Sequence, residues 1–563
     1  MNMKKLLPAS LMFAALLTGI NTQAQRYLTE IFTSSEIETT MDVTYATNID
    51  FLFSNLSDPA AVQADLVAIQ TALGGGNPIP PEFYNPGDPS TAVKVTDIKM
   101  DIRKPSNAAD DVDERPAIIF LHTGNFLPPI VNGGITGSKI DSSGVNLAKQ
   151  WAKRGFVAVN AAYRLGWNPV STDPDVRRGT LLNAVYRAFQ DIQMCIRYLK
   201  ANAAELGIDP DQIVVYGHGT GGYVVNTLNY LDELAELFLP KFIDSNTNNS
   251  YVDVNVVGGL DGYGGALNLY QDMGISSEFA FACNAGGALG DESWMTGGEA
   301  PHVAFHTIRD PFAPFNEGTV IVPTTNEDVV DVHGSNFFIQ KANDLNNNAV
   351  FADFPSDPYT DAARSHYGET YEYIYPAPNN TITVASTPEG LFPFLRPINP
   401  LNVFLNEGSP WDWWDLNTLQ AVVAAYNAAT GANVDANTLH QQGVAGNPGM
   451  GPEKGLAHID TIQGYLIPRI VAALDLVTGI DEAPEKIVEL DVFPNPATDF
   501  VTFETKGERI DYIELYDMRG QRIMIENVNN NRYTLQRRNI ESGMYVAALW
   551  FDGKRATSKV IFK

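Results

Sequence analysis

Residues 213–225 read IVVYGHGTGGYVV. Ile213, Val214, Val215 and Tyr216 form a continuous β-branched and aromatic run, the pattern of a strand covered on both faces. Gly217, Gly219, Gly221 and Gly222 punctuate the next six positions and predict a sharp turn. The apolar residues return at helical spacing in GGYVVNTLNYLDELAELF, residues 221–238. A strand, a glycine-rich turn and a helix therefore follow one another without a linker.

The same alternation extends outward. Upstream, residues 181–207 read LLNAVYRAFQDIQMCIRYLKANAAELG. Leu181, Val185, Ala188, Phe189, Ile192, Cys195, Ile196 and Leu199 share one helical face, and Gly207 stops the helix. Asp209-Pro210 is expected to turn the chain into the strand. Further upstream, FVAVNAAYRLGW (156–167) predicts a strand, and GVNLAKQWAKRG (144–155) a helix closed by Gly155. PAIIFLHTGNF (116–126) carries a continuous apolar run at 117–121. VTDIKMDIRKP (95–105) alternates like an antiparallel strand. Downstream, EFAFACNAGG (278–287) and HVAFHTIRD (302–310) read as strands, after an Asn/Gly-rich insertion over 245–273. Alternating strands and helices predict an α/β domain with a mostly parallel sheet flanked by helices.

Residues 350–450 are long, irregular and rich in Pro, Asn and aromatics, so they are either functional or hold further elements. They include SPWDWWD (409–415), whose Trp411, Trp413 and Trp414 are candidates to floor a ligand site or to pack a covering segment.

The 563 residues carry a net charge of −29, a balance that repels phosphate backbones and anionic membranes and excludes nucleic acid as a partner. Residues 1–25 hold Lys4 and Lys5, a short apolar run and a small-residue end. They are expected to be a secretory signal peptide cleaved near Ala24 or Gln25. No later stretch is apolar for long enough to span a bilayer, so the mature chain is expected to lack a transmembrane segment. Two cysteines, Cys195 and Cys283, make neither a disulfide framework nor a thiolate metal site; whether they pair is left open. No metal or cofactor is expected.

The character changes at the C-terminal end. Residues 26–477 form the α/β domain, 478–488 a polar linker, and 489–563 a small all-β sandwich of short strands separated by turns. VFPNPATD (492–499), IELYDMRGQRI (513–523), SGMYVAALW (542–550) and SKVIFK (558–563) resemble the C-terminal sorting domain of type IX secretion cargo. The resemblance implies export through the periplasm of a Gram-negative cell by the type IX machinery, to the surface or the medium.

The large domain resembles the α/β-hydrolase superfamily, in its carboxylesterase-like branch, over residues 95–476. FLHTGNF (120–126) stands where that family has an H-G-G-x-F oxyanion loop, with Thr123 in place of a usual glycine and Gly124 retained. GHGTG (217–221) aligns with the nucleophile elbow G-x-S-x-G, with Gly219 in the serine's place. FHTIRDPFAPFNEG (305–318) offers Asp310 as the triad acid, and GLAHIDTIQGYLIPRIVAAL (455–474) offers His458 as a loop base before the final helix. The order elbow, Asp, His is the order α/β-hydrolases use. His333 and His366 are competing histidines without a final helix behind them. The resemblance further implies that Thr123, Gly124 and Thr220 form the oxyanion hole and that His218 lines the pocket or packs beside it.

A hydrolase of this kind needs a hydroxyl that the histidine can deprotonate, and glycine has none. Three readings follow. The chain is a non-catalytic, secreted binder of a small-molecule ester, lipid or glycan. Alternatively it is an ester hydrolase that uses water or another nucleophile, or it is a surface adhesion module built on its tryptophan-rich insertion. On sequence grounds, Gly219→Ser is expected to gain ester hydrolysis over a near-background parent.

Overall fold

The computed structural model describes residues 26–563 apart from 322–326, 374–379, 387–388, 400–401, 477–489, 518–521 and 552–553. The expected signal peptide (1–25) and linker (478–488) lie outside the described residues.

An eight-stranded sheet organises the large domain. Its strands are β1 (Ile37–Ile49), β2 (Val95–Pro105), β3 (Arg115–Leu121), β4 (Val157–Ala161), β5 (Ile208–His218), β6 (Phe281–Ala285) and β7 (His302–Thr307), with β12 (Leu391–Phe394) at the far edge. Two hairpins, β8 (Glu317–Ile321) with β9 (Asp328–His333) and β10 (Thr370–Tyr373) with β11 (Asn380–Thr383), intervene in the chain and stay outside the sheet. The spatial order is β1-β2-β4-β3-β5-β6-β7-β12. β1, β2 and β4 pair antiparallel, and every pair from β4 to β12 is parallel. This is the α/β-hydrolase layout, with β5 near its centre.

Period-two alternation assigns each central residue to one of two cores. Ile119, Leu121, Ile213 and Val215 face the crossover helix Pro174–Ala201. Ile118, Phe120, Val214 and Tyr216 face the helices Ser142–Lys153 and Pro452–Ala473. Residues 117–121 are all fully buried, which explains their unbroken apolar run. Cys195 lies in the first core and Cys283 in the second, and both are free thiols.

Asp209-Pro210 does not precede the strand, as expected, but lies within it. While β3 advances from Arg115 to Ala117, β5 advances from Ile208 to Ile213, so the dipeptide loops out of the ladder. The irregular region 350–450 contains the helices Pro358–Arg364, Leu416–Thr430 and Ala436–Gly446. Asp357, Asp415 and Asp435 cap their N-termini, which accounts for the polar text between them.

The C-terminal strands β13 (Leu490–Phe493), β14 (Phe500–Thr505), β15 (Ile510–Asp517), β16 (Arg522–Asn530), β17 (Arg532–Gln536), β18 (Gly543–Phe551) and β19 (Lys554–Phe562) form two antiparallel sheets, β13-β14-β17 and β16-β15-β18-β19. Val501, Phe503, Ile513, Leu515, Ala547 and Leu549 close their shared core.

Candidate active site

The turn after β5 is an elbow in three dimensions. Gly219 takes φ 49° and ψ −113°, and the helix Thr220–Tyr230 starts at once. The Gly219 N–H donates to the Ala285 carbonyl on β6 at 2.8 Å, fixing the turn to the neighbouring strand. The flanking glycines are needed for close approach. A Cβ on Gly217 would lie 2.2 Å from the Gly221 carbonyl, and one on Gly221 would lie 2.5 Å from the Leu121 oxygen.

The position where a nucleophile's side chain would emerge is filled. A Cβ built on Gly219 falls 2.3 Å from Thr123 Oγ1 and 3.1 Å from Thr123 Cβ. The two departures from the family pattern therefore meet in space: the threonine of the oxyanion loop occupies the volume that the missing serine would need. This geometry replaces the sequence-based expectation for Gly219→Ser, since a serine there collides with Thr123.

Neither available hydroxyl is activated. Among the described residues, no histidine or carboxylate hydrogen-bonds to Thr123 Oγ1. Thr220 Oγ1 instead lies 3.2 Å from the Tyr163 hydroxyl, which donates to the His122 carbonyl at 2.7 Å. Burial pushes the Tyr163 phenol up, so it stays neutral and is no base.

The oxyanion loop is itself covered. Gly124 has φ 113°, and a Cβ there would lie 2.5 Å from the Gly137 Cα. Asn132 Nδ2 ties the covering loop down by donating to the carbonyls of Gly124, Leu127 and Thr136. Asp141 holds the loop's other end, accepting from the Gly137 and Ser138 N–H groups. The Thr220 N–H belongs to the first turn of its helix, where backbone donors have no intrahelical partner.

Asp310 is buried behind this groove. Its Oδ1 accepts from the Phe312 and Ala313 N–H groups, and burial pushes its carboxyl up to about 6 against those bonds. Gly408 and Gly286 flank Oδ2, a Cβ on Gly408 falling 3.0 Å from it. The point where a Cβ on Gly286 would sit is 3.7 Å from Asp310 Oδ2 and 3.6 Å from Trp411 Cζ2. Trp411 is fully buried, and its Nε1 has no hydrogen-bond partner.

His458 lies in the second turn of the closing helix Pro452–Ala473, not in a loop before it. Its Nδ1 bonds to the Lys454 carbonyl at 2.9 Å, and burial lowers its pKa. Its ring packs on Phe394, Phe394 packs on Trp411, and Trp411 packs on His218. Among the described residues, no hydrogen bond or ion pair joins His458 to Asp310. The histidine nearest Asp310 is His306, 3.7 Å away, but its Nδ1 and Nε2 already meet Ser335 and the Ala313 carbonyl.

His218 follows Tyr216 on the same strand face and bonds its hydroxyl through Nε2 at 2.8 Å. Its Nδ1 is buried, has no hydrogen-bond partner and lies 3.9 Å from Asp412. Asp412 accepts from Ser143 at 2.7 Å. Burial holds His218 down at about 3 and pushes Asp412 up to about 6. It pushes Asp141 up to about 8, with Asp412 adding to the effect. Sequence reasoning missed this acidic pair. The only available signal was Asp412 standing between two buried tryptophans. Trp413 packs against Gly455 of the closing helix and Trp414 against Gly443, so both serve the covering segment. Among the described residues no group of three or more His, Cys, Asp or Glu side chains is placed to hold a metal.

A carboxyl whose folded pKa exceeds its unfolded value binds more protons when folded, so stability is lost as pH rises. Between pH 7.5 and 9 the histidines are close to neutral in both folded and unfolded states, Asp310 and Asp412 have titrated and Glu299, pushed up to about 7, has largely done so, while Asp141 has not. Stability is expected to fall across that window by about 1 kcal/mol from Asp141. Asp141→Asn should flatten the fall in thermal melts taken at several pH values.

Comparison with known proteins agrees with this architecture. Residues 100–273 match the family model described as BD-FAE. Mouse carboxylesterase 3B is 30% identical over 117 residues, covering 21% of this chain and 18% of its own length. Mouse neuroligin-2 is 28% identical over 174 residues, covering 31% of this chain and 19% of its own. The large domain has an α/β-hydrolase fold and resembles carboxylesterases over the matched segment. The α/β-hydrolase match spans under a fifth of the length of these relatives. The esterase 2 of Thermogutta terrifontis phosphorylated by paraoxon is 24% identical, covers 39% of this chain and 69% of its own, and superposes with a TM-score of 0.26. Residues 491–563 match the secretion system C-terminal sorting domain. The chain is thus an α/β-hydrolase with a type IX export tail, secreted or held at the cell surface. No helix among the described residues is long and apolar enough to cross a membrane.

Proposed function

We propose that this exported α/β-hydrolase-fold protein is catalytically silent, its nucleophile seat crowded by Thr123 while the turn itself stays partly exposed. One observation carries the reading: Thr123 Oγ1 occupies the position of the missing nucleophile's side chain. The surrounding groups agree with it. The covering loop packs on the oxyanion turn at Gly124, and His458 is engaged with its own helix. Acyl transfer needs a nucleophile, a base in reach of it and an acid orienting the base. Gly219, His458 and Asp310 keep the order of that triad without its contacts. An adhesive role for Trp411, Trp413 and Trp414 gains little support, because Trp411 and Trp413 are buried and Trp414 packs against Gly443.

A covalent probe tests the proposal. The full chain incubated with an alkyl fluorophosphonate is expected to keep its unmodified intact mass. A stoichiometric adduct on Thr123 or Thr220 would overturn the reading in favour of a working hydrolase with a displaced nucleophile.

A further inference from the structure

A second concavity lies beside the oxyanion loop, on the other side of Trp167. Trp167 Nε1 donates to the Asn125 carbonyl and the Gly166 N–H to the Phe126 carbonyl, so the wall that Gly166 and Trp167 give this cleft is tied to that loop. The cleft has a volume of about 490 Å³, within the size range of small-molecule sites. Phe51, Trp167 and Tyr251 supply aromatic surface, and Val256, Val257 and Leu267 aliphatic surface.

Arg187, from the crossover helix, lines the same cleft although it is only 4% exposed. A guanidinium has five N–H donors. Among the described residues Arg187 uses one, donating from Nη2 to the Gly166 carbonyl at 2.6 Å, and its buried Nε has no partner. Phe51 covers one face of the guanidinium at 4.2 Å, leaving its edge to make in-plane bonds. Nearby carboxylates are engaged elsewhere. Asp191 pairs with Arg164 at 2.7 Å and accepts from Tyr270, and Asp50 Oδ1 accepts from the Leu52 and Phe53 N–H groups. The exposed Asp253 at the rim caps Asn255. Burial and neighbouring Arg164 lower the Arg187 pKa to about 9 against the opposing pull of Asp191 and Asp50, which still leaves it charged at neutral pH.

A buried cation without an ion-pair partner is costly, and a planar fork of donors is suited to a carboxylate. We propose that the cleft is a ligand site for a small amphiphilic monocarboxylate, its acid group held by Arg187 and its apolar body by the aromatic and aliphatic wall. The proposal goes beyond the silent groove and does not depend on whether that groove turns over esters.

Isothermal titration of the full chain with octanoate tests it. Saturable binding at one site is expected, with octanol and octylamine weaker by roughly tenfold or more. Leu267→Trp, which fills the cleft from its aliphatic wall, is expected to abolish binding, and Arg187→Met to weaken it by roughly tenfold or more. Absence of saturable octanoate binding would overturn the proposal. So would octylamine binding as tightly as octanoate, or unchanged binding in a folded Leu267→Trp variant. Ester-hydrolysis and covalent-probe results leave these readings untouched, so the two proposals fail separately.

Discussion

Gly219→Ser is expected to lower the unfolding free energy by about 2–5 kcal/mol and to leave ester hydrolysis at background. Two costs add. A side chain held at φ 49° and ψ −113° is strained by about 1–3 kcal/mol. Crowding against Thr123, where the new Cβ would lie 2.3 Å from Oγ1, adds about 1–3 kcal/mol. The double variant Thr123→Gly/Gly219→Ser removes the second cost, so urea unfolding should show it more stable than Gly219→Ser alone. A single variant as stable as the parent would mean that Thr123 does not fill the seat.

Trp411→Ala is expected to destabilise the large domain by about 3–5 kcal/mol, the range for emptying a large aromatic site in a core. The ring is fully buried and packs on His218 and Phe394. Among the described residues its Nε1 has no partner, so the loss is one of packing and not of a hydrogen bond. Denaturant unfolding measures the effect.

Much of the fold was legible because it rests on local signals. The unbroken apolar run at 117–121, the helical face from Leu181 to Leu199 and the glycines around the elbow each answer to a local rule of burial or backbone geometry. The departure at Gly219 was equally plain in the text. What the sequence concealed was contact between distant segments. That Thr123 reaches into the space beside Gly219, and that Trp411 packs on His218, depends on how distant loops close over the sheet. The position of His458 was missed for a different reason: the helix begins at Pro452, and proline at a helix start is easily read as a loop. Arg187 looked like one more polar residue on a long helix until the fold buried it at the wall of a cleft, with most of its donors unused among the described residues.

The rate of p-nitrophenyl butyrate hydrolysis by the wild-type chain tests the silent-groove account most directly. The expected result is a rate equal to the spontaneous one, with no saturation and no change in Thr123→Ala, Thr220→Ala or His458→Ala. Saturable turnover that any one of those three substitutions abolishes would contradict it.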